Sequence, residues 1–383
     1  MAQISFWEKE SFFAPQDVII VGSGFVGLWS ALHLKLKKPG YKITILERGL
    51  IPTGGSTRNA GFSCFGSPGE LVADVATMGE DNMWQLVEMR YQGLQQIRKN
   101  FTDEAIDYDA CGGYECFSKQ SADWTECTDK LNWLNKGLQK ITGDENLFKI
   151  ADEKIGAFGL KGFDHLIENK LEAGIHSGKL VQALLQKVQG LGVQVLTNIE
   201  VTSYESHYNG VQLHTSVAGS PETNIPFTAN QLLLCTNAFT KQLLPQADII
   251  PNRGQVLITA PISNLLLKGT FHFDQGYYYF RNVGNRLLLG GARNKDFDKE
   301  NTLEMQTTPI IQAALENFIQ EHLLPDTTYT VTDSWSGIMA MGQQKIPLIL
   351  HIENNIFCCV RMSGMGVALA PMAAQKVAEL MSS

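Results

Sequence analysis

The sequence predicts an α/β chain organised around a βαβ unit, and three observations carry that prediction. The apolar run Val18 to Val21 reads as a short buried strand, cut off by Gly22-Ser23-Gly24. From Phe25 onward apolar residues recur at helical spacing, through Val26, Trp29, Leu32 and Leu36. A second strand, Lys42 to Leu46, follows and ends on Glu47. Gly22, Gly24 and Gly27 thus form G-x-G-x-x-G between a strand and a helix, the Rossmann-like arrangement in which a turn holds a diphosphate.

Each residue of that motif has a physical task. Gly22 permits the tight turn, Gly24 lets backbone approach the pyrophosphate, and Gly27 lets helix and strand pack closely. The start of the helix, at Phe25 and Val26, offers free N–H groups and a partial positive charge. An acid at Glu47 suits ribose hydroxyls without a 2′-phosphate, so FAD or NAD is favoured over NADP.

Further elements follow in order. Residues 83 to 101 and Asp123 to Leu138 carry helical patterns. After Gly178 the chain reads as helix (Leu180 to Gln189), strand (Val193 to Leu196) and strand (Glu200 to Glu205). Strands are expected at Gly210 to Ser216 and Asn230 to Thr236, then an aromatic hairpin joining Tyr277–Arg281 to Arg286–Gly290 through Asn282 to Asn285. A helix over Thr308 to His322, a strand near Ile356 to Val360 and a terminal helix from about Gly366 complete the order. The nucleotide domain is therefore expected to be discontinuous, formed from 1–82, 168–245 and 330–383. A second, α+β domain with an antiparallel sheet, which would hold the substrate, is expected from 83–167 and 246–329.

Composition narrows the function. The chain has 383 residues, 44% of them hydrophobic, enough for two domains with sizeable cores. A net charge of −8 without a basic stripe argues against nucleic acid. Seven cysteines, an odd count with no C-x-x-C, suggest a reduced, cytoplasmic setting. The first residues lack a signal-peptide pattern, and no apolar run is long enough for a membrane span. Eight scattered histidines show no ligand spacing, so no metal is expected.

Three more segments make the first motif specific: GGSTRNAGF (54–62), ANQLLLCTNAF (229–239) and RMSGMGVALAP (361–371). With GSGFVG and LERG (46–49), they resemble the FAD-dependent amine and amino-acid oxidoreductases of the D-amino-acid oxidase, glycine oxidase and sarcosine oxidase superfamily. Within it, STRNAGF, YYYFRNVGNRLLLGG and WSGIMAMGQQKIPLI are most similar to the γ-glutamylputrescine oxidase branch.

The resemblance implies FAD and assigns residues toward it. Arg48 follows the ribose acid. Ser56 and Thr57 would offer hydroxyls to the pyrophosphate and Arg58 a positive charge, while Asn59, Ala60 and Gly61 run close to the flavin ring. Val201 would hold adenine through its backbone, and Thr236 and Asn237 end a buried strand near the cofactor. Ser363, Gly364, Met365, Gly366 and Val367 form the helix start that faces the flavin N1/O2 edge. Departures from relatives carry information too. Asn59 stands where some relatives tether FAD through histidine, and no cysteine lies between Asp333 and Leu350, so FAD is expected to be non-covalent. Met339 stands where glycine-oxidase types clamp a carboxylate with arginine, and Leu288 replaces the lysine credited with activating oxygen.

The expected reaction is oxidation of the C–N bond of a small amine or N-modified amino compound to an imine, by hydride transfer to flavin N5. Oxygen or an electron carrier would take the electrons, and no general base is assigned. Two alternatives stay open: a dehydrogenase acting on a C–O substrate such as a hydroxy acid or polyol phosphate, and a flavin-holding subunit with little turnover. Pocket candidates are Tyr277, Tyr279 and Arg281, which share one face by strand alternation, together with Met339. Simple packing of those aromatics within the second domain's sheet is the competing reading. Cys64 is either close to the flavin or a buried inert thiol.

Overall fold

The computed structural model describes residues 4–118, 121–217 and 225–383. Two compact units divide the chain: Met1–Thr57, Gly178–Pro251 and Met339–Ser383 form the first, Arg58–Ser177 and Asn252–Ile338 the second.

The first unit is a layered α/β body. Strand Gln16–Val21 pairs in parallel with Ile43–Leu46 on one side and Phe227–Leu234 on the other. Gln194–Leu196 extends the sheet beyond Ile43–Leu46, and Ile356–Val360 extends it beyond Phe227–Leu234, both in parallel. Val18, Ile19 and Ile20 have no exposed surface, as expected of a parallel strand covered on both faces. Helix Phe25–Lys37 packs against the terminal helix Gly366–Ser382, where His33 Nε2 lies 3.1 Å from the Pro371 carbonyl. An antiparallel pair, Ile199–His207 with Gly210–Val217, attaches to Phe227–Leu234.

The second unit is built on an eight-stranded sheet in the order Val331–Met341, Ile250–Thr259, Arg286–Gly291, Tyr278–Val283, Thr270–Phe273, Gly113–Phe117, His165–Asn169, Phe148–Ile150. Its described pairings are antiparallel except Thr270–Phe273 with Gly113–Phe117, which is parallel. One face carries the core. Phe271 and Phe280 stack at 4.9 Å, Phe318 stacks on Tyr278 at 4.5 Å, and Ile311, Leu315 and Ile319 close over them. Because Phe280 is fully buried in a stacked array, Phe280→Ala should cost about 3–5 kcal/mol. A urea titration should show a lower midpoint at unchanged slope; an unchanged midpoint would mean this cluster is not the unit's core.

Helix Pro68–Met78 packs against helices Glu80–Asn100 and Ala122–Thr142, which draws 58–82 into the second unit and sets the first division at Thr57 rather than near 82. The remaining divisions fall at 177, 251 and 338, against the expected 167, 245 and 329. Most expected elements lie within a few residues of their observed bounds. The hairpin strand starts at Tyr278 and continues to Val283, since Asn282 pairs with Leu287 and Val283 with Arg286. The turn therefore shortens to Gly284-Asn285, with Gly284 at φ +57°. The helix expected over 308–322 is α-helical from Pro309 to Phe318 and closes in a π-turn, Ile319–Leu323. Among the described residues no helix is long and apolar enough to cross a membrane.

Candidate functional site

In the first unit the glycines divide the work by what surrounds them. Gly22 has φ +102°, and a Cβ there would lie 2.7 Å from the Cys235 carbonyl oxygen. At Gly27 a Cβ would approach the Gly22 carbonyl oxygen to 2.0 Å, so helix and turn touch through bare backbone. Gly24 differs: only the Ser56 side chain is close, its Oγ at 3.0 Å. Gly24 caps the helix without any side-chain bond, and the amides of the first turn, Phe25 to Gly27, have no acceptor inside the helix. Phe25 N donates to Ser56 Oγ at 2.8 Å. The result is a turn that presents backbone donors, with the Ser56 hydroxyl on the Phe25 amide as its one close side chain.

Glu47 is 8% exposed and reaches back to this turn. Its Oε2 accepts from Ser23 N (3.0 Å) and Ser23 Oγ (2.7 Å), and Oε1 accepts from Gly49 N (2.9 Å). An ionised carboxylate has about four acceptor sites, so capacity remains for ribose hydroxyls. Glu47→Gln would turn an amide donor toward Ser23. The expected result is about a tenfold or greater loss of FAD affinity in a fluorescence titration, the effect of one charge-assisted hydrogen bond. Unchanged affinity would free Glu47 from the cofactor.

The other predicted cofactor residues of this unit fall as follows. The Arg48 guanidinium lies over the Phe239 ring, 3.7 Å from its centroid. Thr57 Oγ1 donates to the Pro52 carbonyl at 2.6 Å, so this hydroxyl is used within its own loop. Val201 is buried on strand Ile199–His207, beside a bulge at His214/Thr215. Thr236 shares a hydrogen bond with Thr240, and Asn237 adopts φ +48°. Ser363 (φ +48°) and Gly364 (φ +83°) turn the chain into helix Gly366–Ser382, capped by Met365 without a side-chain bond. Ser363 Oγ is buried and has no hydrogen-bond partner, and Met339 Sδ sits beside Gly364. An open glycine turn, a buried acid at the next strand end and a second uncapped helix start with an unused hydroxyl fit FAD.

Arg58, Asn59, Ala60 and Gly61, expected with the first domain, belong to the second compact unit. Arg58 Nη1 donates to the Ser336 carbonyl (3.0 Å), and the Arg58 carbonyl accepts from Trp335 Nε1 (3.0 Å). Asn59 Oδ1 accepts from Gly61 N (2.8 Å) and Ser177 Oγ (2.6 Å). Ala60 is half-buried.

Strand alternation separates the hairpin as expected for Tyr279 and Arg281. Tyr278 and Phe280 enter the core, while Arg281 pairs across the strands with Thr270 and Tyr279 with His272. Tyr277 departs from that face. It precedes the strand, lies edge-on to Phe297 at 5.7 Å and packs beside the core, because alternation begins only at Tyr278.

Arg281 is 6% exposed. It donates to the carbonyls of Gly61, Ile175 (3.1 Å) and Asn282 (3.1 Å), and no carboxylate pairs with it among the described residues. Burial holds its pKa below the usual arginine value, and burial pushes Tyr279 up to about 12.

A polar cluster lies on the same face of this sheet. Glu172 Oε1 accepts from Thr270 Oγ1 at 2.9 Å and meets His272 Nε2 at 2.5 Å, while Glu172 Oε2 is buried without a partner. Cys64 completes a buried trio with them. Burial first, then Glu172 and Glu70, push the Cys64 thiol well above its ordinary range, so alone it is an unreactive thiol. Glu115, across the strands from His272, accepts from Gly69 N at 2.6 Å. Sequence reading missed Thr270, His272, Glu172 and Glu115. The usable signal was the alternation in Thr270-Phe271-His272-Phe273, which marks a strand with one polar face.

Comparison with known proteins agrees with this geometry. Residues 17–380 match the family model described as DAO, FAD dependent oxidoreductase. The chain is 24% identical over 388 residues to gamma-glutamylputrescine oxidoreductase of Escherichia coli strain K12, covering 95% of this chain and 83% of that one. It is 25% identical over 386 residues to glycine oxidase of Geobacillus kaustophilus, covering 95% and 92%. Its fold is similar to that of L-proline dehydrogenase from P. horikoshii, with a TM-score of 0.75 at 16% identity over 96% of this chain and 93% of that one. The chain belongs to the DAO family of FAD dependent oxidoreductases.

Proposed function

We propose that this chain oxidises the C–N bond of a small amine or N-modified amino compound bearing an acidic group, with FAD held non-covalently. The observation that carries the reading is Arg281, a buried guanidinium whose hydrogen-bond partners among the described residues are neutral carbonyls. A buried cation without a counter-ion is costly, and an anionic substrate group would supply that ion. The γ-glutamylputrescine oxidase branch is the favoured relationship within the family, supported by the relative in Escherichia coli and by the motifs around Arg58, Arg281 and Met339.

When bound, FAD supplies a hydride acceptor at N5. The chain's residues do the remaining work. Amides of the turn after Gly24, with Ser56, hold the diphosphate, and Glu47 holds a ribose. The uncapped start of helix Gly366–Ser382 would lend partial positive charge to a bound flavin. Arg281 orients the acidic group, with Tyr279 on the same face of the sheet. Non-covalent attachment is supported by an amide, Asn59, at the position where some relatives tether FAD through histidine, and by the absence of cysteine between Asp333 and Leu350.

Anaerobic mixing of the FAD-loaded protein with panels of amines and hydroxy acids tests this. Bleaching of the visible flavin absorbance by acidic amines is the expected result. Bleaching by hydroxy acids alone would replace the reading with C–O oxidation, and bleaching by neither would favour a flavin-holding role. The rate of reoxidation in air then decides between oxygen and an electron carrier.

A further inference from the structure

We infer that Cys64, Glu172 and His272 form a binding site for a divalent transition metal of the zinc class. Their candidate ligand atoms all lie within 4.8 Å of one another, and all three residues are buried or nearly so. Among the described residues this is the one such group of three metal-ligating side chains. A thiolate, an imidazole and a carboxylate form the mixed S, N, O donor set that zinc accepts, with three protein ligands leaving a fourth position open.

The surroundings resemble the outer shell of a metal centre. Thr270 Oγ1 donates to Glu172 Oε1 and fixes the carboxylate, which is how a ligating acid is usually oriented. The Phe62 ring stands edge-on to His272 at 5.3 Å and blocks one side of the imidazole. Glu172 Oε2 is buried with no hydrogen bond, an unmet acceptor that a cation would satisfy. In a tetrahedral zinc site, bonds of about 2.0 Å to nitrogen or oxygen and 2.3 Å to sulfur put ligand atoms roughly 3.3–3.8 Å apart. Coordination requires His272 Nε2 and Glu172 Oε1, which lie 2.5 Å apart, to separate by about 0.8 Å, with any proton on that nitrogen released to solvent. Binding also removes the thiol proton of Cys64 to the solvent, because a coordinated thiol is deprotonated outright. No oxidation or reduction is involved.

Elemental analysis of the FAD-loaded full-length protein, after growth with added zinc sulfate and dialysis, tests the site. About one zinc per chain is expected, and its X-ray absorption spectrum should show one sulfur at about 2.3 Å. Cys64→Ser and His272→Ala should each lower zinc to below about a tenth of an equivalent while FAD loading is retained. Wild-type protein that holds full FAD but no zinc would overturn the inference. So would zinc with no sulfur neighbour, a reading on the wild type that does not depend on how the variants fold.

Discussion

Replacing Gly24 by alanine should empty the cofactor site while leaving the apo fold almost untouched. The backbone at Gly24 has φ −68° and ψ −178°, a conformation open to any L-residue, and a Cβ there meets only the Ser56 side chain. The apoprotein should therefore melt within a few degrees of wild type, since alanine for glycine at a helix N-cap costs only about 0.5–1 kcal/mol. If the diphosphate takes that same space, as proposed, FAD affinity should fall by about a hundredfold or more, equivalent to roughly 3 kcal/mol of overpacking. Gly27→Ala makes the contrasting case. Its methyl would sit 2.0 Å from backbone that cannot swing away, so fold stability and FAD loading should fall together. Measuring melting temperature and flavin content of both variants separates a cofactor space from a packing space. Normal FAD content in Gly24→Ala would place the diphosphate elsewhere.

Arg281→Met should produce the second large effect, on substrate choice. The change removes the guanidinium but keeps an apolar side chain of similar length. For acidic amines kcat/KM should drop by about a hundredfold or more, the cost of one buried charge-assisted contact. For neutral amines the drop should be small. Because Arg281 also ties the Gly61 and Ile175 carbonyls together, the variant should lose about 1–3 kcal/mol of stability as well. Assays belong below its melting point for that reason. An equal loss on both substrate types would reduce Arg281 to a brace for the loop at Gly61.

How much of this could be read from sequence follows from what each element depends on. The βαβ unit was legible because its signals are local: a fully buried apolar strand, a glycine turn and a helical stripe lie within thirty residues. The hairpin was legible for the same reason, though its strand bounds and the face of Tyr277 depended on where pairing begins. Strands Gly113–Phe117 and Thr270–Phe273 were not foreseen. Each is five residues or fewer, mixes polar with apolar positions, and gains its partners from distant chain. Helix Pro68–Met78 was missed despite Ser67-Pro68 at its start, and that omission carried 58–82 into the wrong unit. The buried acids were hidden by their own chemistry. Glu115 and Glu172 read as surface residues until a sheet brings His272, Thr270 and a helix amide against them.

The family and its cofactor were reached from ordered motifs, and the glycine geometry gives them a physical basis at particular atoms. What a motif cannot specify is the substrate, because that depends on a few side chains on one sheet face rather than on the fold. The proposed function assigns that choice to Arg281 and Tyr279, on one face of the second unit's sheet.

A crystal structure of the FAD-reconstituted protein tests the central claim most directly. The diphosphate should lie across the amides of Phe25 and Val26 beside Ser56, with a ribose on Glu47 and the flavin edge at Gly364 to Gly366. Density for the dinucleotide anywhere else, or none after reconstitution with excess FAD, would contradict the account.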